Sequence, residues 1–370
     1  NWERNQKYKT SSEPKGYLLG KCYSESSRLL DEHPEYKEEV SQIMKAIESR
    51  QGKYYDLWAE TRKWSIDYFA SIYQELEVKF EHTFYESEYT DAGLKLVNEL
   101  LAAGQLVKSQ GAIIANLEQY GLSVLPIIRT DGTALYPVAD FALAQAKFKK
   151  YKIKESLYVI DVRQSLYFQQ LAKIFELMGY RQKIKHLSYD FVTLPEGMMA
   201  SRTGNVITYE SLKNKIWEKL IIETKKRHED WIDSRVEQAA LSLAISTMKF
   251  EMLKVSADKI IVFDINNALR FDGFTACYLQ YGYARLKSVI RKEPVKLFNW
   301  RVDLKELKEA REKGLLLKLA QYQEVVKLAG EKYNPSEVAK YLFELVQLSN
   351  DYYHEVPILK AGSKTRQARL

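Results

Sequence analysis

Turn-forming residues are scarce in this chain. It carries sixteen glycines and eight prolines in 370 residues, where average usage would give roughly 44 of the two together. Long uninterrupted segments follow, and the composition predicts a helix-rich fold. A collagen-like repeat, low-complexity disorder and a many-stranded β-sandwich are excluded on the same ground. From Tyr17 to about Leu101 the pattern is helical: Leu57, Trp58, Trp64, Tyr68, Phe69, Ile72 and Tyr73 recur near i, i+3 and i+4. No proline follows Pro34 in that stretch, and Ala102, Ala103 and Gly104 close it.

The pattern then changes. Gly111–Asn116 and Leu122–Arg129 are short apolar runs of strand length, followed by a turn signal at Thr130-Asp-Gly-Thr133. Leu135–Lys149 is helical, Leu157–Ile160 is a strand, Leu166–Met178 is a helix ended by Gly179, and His186–Leu194 alternates up to Pro195. Strand, helix, strand, helix, strand is the rhythm of a parallel α/β sheet. Beyond Thr208 the strands are expected to stop. Long helices are predicted over Tyr209–Arg227, Ser234–Val255 and Gly273–Arg291, with a further one opened by Asn334-Pro-Ser-Glu337 and running to about Tyr353. An α/β domain is thus followed by an all-α one, with the division between 209 and 240, taken as 1–230 and 231–370.

Lys and Arg number 56 against 49 Asp and Glu, a surplus of +7 with a pI near 8.9, compatible with an RNA or nucleotide partner. Ten Lys/Arg against five Asp/Glu fall within Arg285–Lys313. Cys22 and Cys277 stand far apart without metal spacing, which fits a reducing cytosol rather than a disulfide scaffold. No apolar run approaches the ~18 residues of a membrane span. The start Asn1-Trp2-Glu3-Arg4 has neither initiator Met nor signal peptide, and suggests a fragment.

No GxGxxG, GxxxxGK or HExxH occurs, so glycine-turn dinucleotide binding, P-loop hydrolysis and zincin chemistry lack their signals. Three segments can carry chemistry. In Arg129–Asp140, a helix beginning near Ala134 puts Tyr136 and Asp140 at i and i+4 on one face. A carboxylate beside a phenol suits a planar cation; a helix-surface Asp next to a rim Tyr has the same spacing. In Ile160–Phe168, Gln164 leaves the carboxyl end of a strand, where open α/β sheets bind ligands, though an ordinary loop fits there too. Gly197–Asn205 is a glycine-flanked loop with Ser201 and Arg202, able either to bend over a polyphosphate or to be a basic surface turn.

The third segment resembles the "KMSKS" loop of class I aminoacyl-tRNA synthetases, in the weakened form common among arginyl-tRNA synthetases. Thr130–Asp140 is similar to that family's sDGTxxYxxxD motif. Phe271–Arg285 is similar to its GNTxPYLQYxxxR motif, which opens the anticodon-binding helical domain. Tyr158–Phe168 and Tyr341–Tyr353 fit in order, so the resemblance runs from about Tyr17 to Leu370. It implies a Rossmann-like class I catalytic domain, its second half with a helical insertion, then an all-α anticodon-binding domain. It implies arginine–tRNA ligation, with ATP and Mg²⁺ as the substrate complex, no permanent cofactor and no resident metal. L-arginine and tRNA(Arg) are the implied partners of a cytoplasmic, membrane-free monomer.

Residue by residue, the resemblance assigns Tyr136, Asp140 and Gln164 to arginine. Met199, Ser201 and Arg202 go to the ATP loop, with Ser201 and Arg202 catalytic. Tyr278, Gln280, Tyr281 and Arg285 belong to the tRNA-binding domain, some as scaffold. The chain departs from the family pattern at several places. Met198 replaces the first Lys of the loop and Ala200 its Ser. Ala139 stands where Arg is usual, Tyr167 where His is usual, and Cys277 in place of the Pro of PYLQY. HxGH is absent from the 370 residues. The resemblance places it upstream of Asn1, and ends the chain short of the family's closing helix. Two other readings stay open: a non-catalytic RNA-binding module derived from a synthetase, and a class I synthetase for another amino acid such as cysteine. Asp140 and the lack of Cys/His zinc ligands count against cysteine.

Overall fold

The computed structural model describes residues 2–3, 5–195, 208–293 and 302–370. Its first part is helical: α1 (Gln6–Thr10), α2 (Lys15–Glu32), α3 (Tyr36–Glu48) and α4 (Lys53–Glu75). α2 lies on α4 so closely that a Cβ on Gly16 would fall 2.4 Å from Tyr68 Cβ. A small core of Tyr8, Leu18 and Cys22, with Trp2 packed on it, joins α1 to α2.

α5 (Thr90–Ala102) buries Gly93, Leu96, Val97 and Leu100, a single i, i+3, i+4, i+7 stripe. β1 (Val107–Ser109), β2 (Ala112–Ala115) and β3 (Leu125–Ile128) follow as an antiparallel sheet in that order. This corrects the expectation that the runs at 111–129 join a parallel sheet. Gln110 and Gly111 form a two-residue turn, both with positive φ (48° and 85°), as a tight hairpin demands, and only the single 3-10 turn Glu118–Tyr120 lies between β2 and β3, too short for a crossover.

The parallel unit begins later. α6 (Tyr136–Tyr151) leads to β4 (Glu155–Asp161), α7 (Ser165–Leu177) and β5 (Lys183–Tyr189). β4 and β5 pair in parallel with Tyr158 opposite His186, the expected strand–helix–strand unit. Along β4 the faces alternate. Tyr158 and Ile160 pack on the main core, while Leu157 and Val159 face outward. That core joins α5, α6 and α7 through Val97, Ile127, Phe141, Leu171 and Phe175.

β6 (Val192–Thr193) precedes α8 (Tyr209–Arg227) and α9 (Asp233–Leu253). α8 buries Leu212, Ile216 and Leu220 against Ala240 and Ala244 of α9, small residues that let the two helices approach. Strands do not stop at Thr208: β7 (Ile261–Val262) pairs in parallel with β6, too short to show in periodicity. α10 (Ile265–Ala268), α11 (Ala276–Lys292), α12 (Ala310–Ala320), α13 (Tyr322–Lys332), α14 (Ser336–Glu355) and α15 (Ser363–Arg369) complete the chain. Asn334 accepts from Ser336 N at 3.2 Å at the start of α14. Arg369 Nε meets Glu312 Oε1 at 2.6 Å, both almost fully buried, and fastens α15 to α12.

Polar contacts tie the parts together, among them the bond from Lys249 Nζ to Leu76 O at 2.8 Å. Glu75, ending α4, receives Tyr209 Oη at 2.7 Å and Lys213 Nζ at 2.8 Å from α8. Tyr333, after α13, donates to Glu155 at 3.0 Å, and Lys185 lies 4.2 Å from its ring centroid.

α5 crosses α6 at Gly93, where a Cβ would come 2.0 Å from Val138 O. Alanine in a helix interior normally gains up to about 1 kcal/mol over glycine. Here the obstacle is backbone, so Gly93→Ala should instead destabilise by about 1–3 kcal/mol, read as a lower urea midpoint.

Candidate binding site at the end of strand β4

The site is assembled from the ends of three elements. Asp131 Oδ1 accepts from Thr133 N (3.0 Å) and Thr133 Oγ1 (2.7 Å), and Gly132 takes φ 83°, so the turn before α6 is fixed by side chain and backbone alike. Leu135 N then bonds Ile127 O, and Pro137 sits in the first turn of α6. The helix therefore starts at Tyr136, and Tyr136, Asp140, Leu143 and Lys147 fall on one stripe.

After β4, Asp161 accepts from Arg163 N (2.8 Å) and holds the Arg163 guanidinium at 2.8 and 2.9 Å. These bonds keep the Asp161 carboxyl below the usual carboxylate range. The short turn Val162–Gln164 delivers Gln164 to the strand's carboxyl end and starts α7 so that Tyr167 faces α6. Tyr167 Oη donates to Asp140 Oδ2 at 2.6 Å, and the Tyr136 ring stands edge-on to Tyr167 at 4.8 Å.

Tyr136, Asp140 and Gln164 line one cavity of about 460 Å³, together with Phe84, Glu86, Ala139 and Leu143. The structure thus brings together the three residues singled out in sequence. Phe84 and Glu86 come from the connection between α4 and α5, fifty residues upstream of Tyr136, and no spacing signal could have found them. Tyr167 is visible in sequence only as a departure from a family pattern.

Burial is the largest influence on Asp140 and pushes its carboxyl up; the Tyr167 hydrogen bond and the Lys147 charge pull it back. Burial pushes the Lys147 ammonium down, against the pull of Asp140. Tyr158 is pushed up to about 12, mainly by burial. Tyr167 is raised by burial first and then by Asp140, so it stays a donor. A carboxylate has about four acceptor positions. With one taken by Tyr167, Asp140 can still accept two parallel N–H bonds from a planar cation beside Tyr136.

In the helical part, Tyr278, Gln280, Tyr281 and Arg285 share α11. Arg285 donates to Asn350 Oδ1 (2.8 Å), His354 Nε2 (3.0 Å) and Tyr281 Oη (2.9 Å), and lies between the Tyr281 and Tyr353 rings at 4.7 and 4.9 Å. Tyr278 accepts from Asn350 Nδ2 at 3.0 Å. Arg285 and Tyr278 therefore join α11 to α14, whereas Tyr281 is half exposed and Gln280 half-buried. Cys277 is buried beside Thr247. Met199, Ser201 and Arg202 lie outside the described residues.

Residues 1–264 match the family described as tRNA synthetases class I (R), catalytic domain, and residues 279–370 match the DALR anticodon binding domain. The arginine–tRNA ligase of Bdellovibrio bacteriovorus is 36% identical over 366 residues, covering 96% of this chain and 63% of that protein. The arginine–tRNA ligase of Halothermothrix orenii is 31% identical over 371 residues, covering 100% of this chain and 64% of its own length. The chain thus spans less than two thirds of these curated relatives. Thermus thermophilus arginyl-tRNA synthetase superposes with TM-score 0.76 at 23% identity, over 92% of this chain and 63% of that one. The Plasmodium falciparum enzyme gives 0.73 at 20%, over 92% and 59%. These likenesses share the fold: a class I catalytic part followed by a helical anticodon-binding part.

Tyr167→Phe removes the donor to Asp140 without changing shape. At neutral pH it should destabilise the chain by about 1–3 kcal/mol. Losing the bond moves the folded carboxyl further up, so the deficit is full where Asp140 is ionised and is lost as pH falls through that carboxyl's range. Urea unfolding at about pH 8 and about pH 4.5 checks both the size and the narrowing.

Proposed function

The chain belongs to the class I (R) tRNA synthetases, and from that premise we propose that it serves arginine–tRNA ligation: activation of L-arginine with ATP, then transfer to tRNA(Arg). The observation that carries the reading is the convergence of Tyr136, Asp140 and Gln164 on one cavity, with Tyr167 bracing the carboxylate from behind. Asp140 pairs with the guanidinium, the Tyr136 ring packs beside it, and Gln164 meets a polar end of the substrate. Arginine's own carboxylate attacks the α-phosphate of ATP, giving arginyl-adenylate and pyrophosphate. A ribose hydroxyl of the tRNA then attacks the arginyl carbonyl and AMP leaves. Neither step needs a protein nucleophile; both depend on positioning and on stabilising charge.

ATP enters with Mg²⁺ as its substrate complex. Met199, Ser201 and Arg202 are assigned to its phosphates on sequence alone, with Arg202 supplying the charge that Met198 does not. Tyr281 and Tyr283, exposed on α11, are rings of that helix that can stack on a base, and the lysines and arginines that follow Arg285 as far as Lys313 would meet RNA phosphates. No helix among the described residues is long and apolar enough to cross a membrane. The reading makes this a cytoplasmic enzyme acting as a monomer.

Citrulline, the neutral counterpart of arginine, separates charge recognition from shape. Asp140→Asn leaves a charge-assisted pair half made, at a cost on the order of 2–5 kcal/mol. Calorimetry should therefore show arginine binding weakened at least about thirtyfold with citrulline binding little changed. Equal effects on both would remove Asp140 from guanidinium recognition. Arg202→Ala should slow arginine-dependent pyrophosphate exchange, measured with cognate tRNA, by ~10²–10³ while arginine affinity stays put. Exchange at the parental rate would make the loop a plain surface turn.

A further inference from the structure

Glu86 lines the cavity, and nothing so far gives it a task. With Asp140 it makes two carboxylates in one cavity, and no lysine, arginine or histidine lines that cavity. Like charges brought together repel, and a ligand with two cationic groups relieves both. The two carboxylates differ in shelter. Asp140, on α6, is half-buried and braced by Tyr167. Glu86 is exposed, in the turn Glu86–Glu88 that precedes α5. Among the described residues no side chain pairs with the Glu86 carboxylate.

The backbone that carries Glu86 is fixed on both flanks. Before it, Phe84 packs on Tyr151, the last residue of α6, at 6.3 Å and on Tyr89 at 6.2 Å. The Arg62 guanidinium of α4 lies 4.2 Å from the Tyr85 ring centroid. After it, Glu86 O accepts from Tyr89 N at 2.9 Å and from Thr90 Oγ1 at 3.3 Å, which joins the turn to α5. α5 is itself seated by Gly93 on the Val138 carbonyl of α6, two residues before Asp140. One helix crossing therefore sets both carboxylates at the cavity. The backbone at Glu86 is held by the protein, and its carboxylate oxygens are left to a ligand.

We propose that Glu86 pairs with the α-ammonium of arginine at the open side of the cavity, while Asp140 holds the guanidinium. The inference rests on the arginine reading of the cavity. Arginine carries two cationic groups, and exposure decides which carboxylate takes which. The substrate carboxylate has to reach the α-phosphate of ATP, so the α-carbon end of arginine lies at the open side, and the ammonium with it. Glu86 is the exposed carboxylate. The planar guanidinium takes the sheltered one, beside the Tyr136 ring. Glu86 attracts an ammonium and repels a carboxylate, so it turns the amine toward the protein and the reacting carboxylate away from it. It is a specificity-determining residue for the α-amine of the substrate.

Three probes separate the groups of the substrate: arginine itself; agmatine, which keeps both cationic groups and lacks the carboxylate; and 5-guanidinopentanoate, which lacks the α-amine. Calorimetry on the 370-residue chain compares Glu86→Gln with the parent. The side chain is exposed and pairs with no described residue, so the variant should keep its fold. Glu86→Gln should weaken arginine and agmatine about fivefold each, the worth of an exposed charge pair, and leave 5-guanidinopentanoate within about twofold. Equal weakening of all three would place Glu86 on the guanidinium and overturn the proposal; so would no change in any. Asp140→Asn tests the reading beneath it and should weaken all three. If it changes none, the guanidinium reading of Asp140 falls, while the difference between arginine and 5-guanidinopentanoate in Glu86→Gln still decides the ammonium pairing. A parental chain that binds none of the three overturns both.

Discussion

The hydrogen bond from Tyr167 to Asp140 spans the seam between α6 and α7 at the carboxyl end of β4, and the cavity takes its chemistry from that seam. A carboxylate half out of water is costly unless its charge is answered. Here the answer comes from a phenol across the seam, on elements that backbone packing brings together. Gly93 lets α5 press against the carbonyl of Val138, two residues before Asp140. Any side chain at position 93 would push α6 off that seat. Packing and electrostatics thus meet within two residues on one helix.

Much of this was legible beforehand, for definite reasons. The helix expected over Tyr209–Arg227 matches α8, and the structure shows both ends marked: Thr208 Oγ1 accepts from Ser211 N and the last turn is basic. α6 and the Tyr136–Asp140 pair follow from an i, i+4 spacing after an Asp-Gly turn. The antiparallel arrangement of β1, β2 and β3 was not legible, because short apolar runs carry no direction. It is fixed by the Gln110-Gly111 turn and by the absence of a crossover helix between β2 and β3. β7 escaped notice since two residues make no period. Glu86 and Phe84 reach the cavity through tertiary packing alone.

In the helical part, residues matched to one family segment divide their work. Arg285, clasped between two tyrosines and bonded to Asn350 and His354, spends its donors inside the protein. Stacking of this kind suits a planar guanidinium and would not survive replacement by lysine. Gly282, one turn earlier on α11, lets Val346 of α14 approach where a Cβ would come within 2.4 Å of Cγ1. The helix pair is therefore locked by shape and by a planar charge, and Tyr281, half exposed, is held at its edge by the same arginine.

The Glu312–Arg369 contact gives α15 a fastening that ionic strength weakens little. Salt weakens buried charges much less than exposed ones, and both side chains here are largely buried. Surface lysines and arginines, by contrast, lose their hold on a polyanion steeply as counterions are added. Brine that screens the exposed ion pairs of the surface would leave this clasp shut, so the surface charges and the fastening of α15 respond to salt separately.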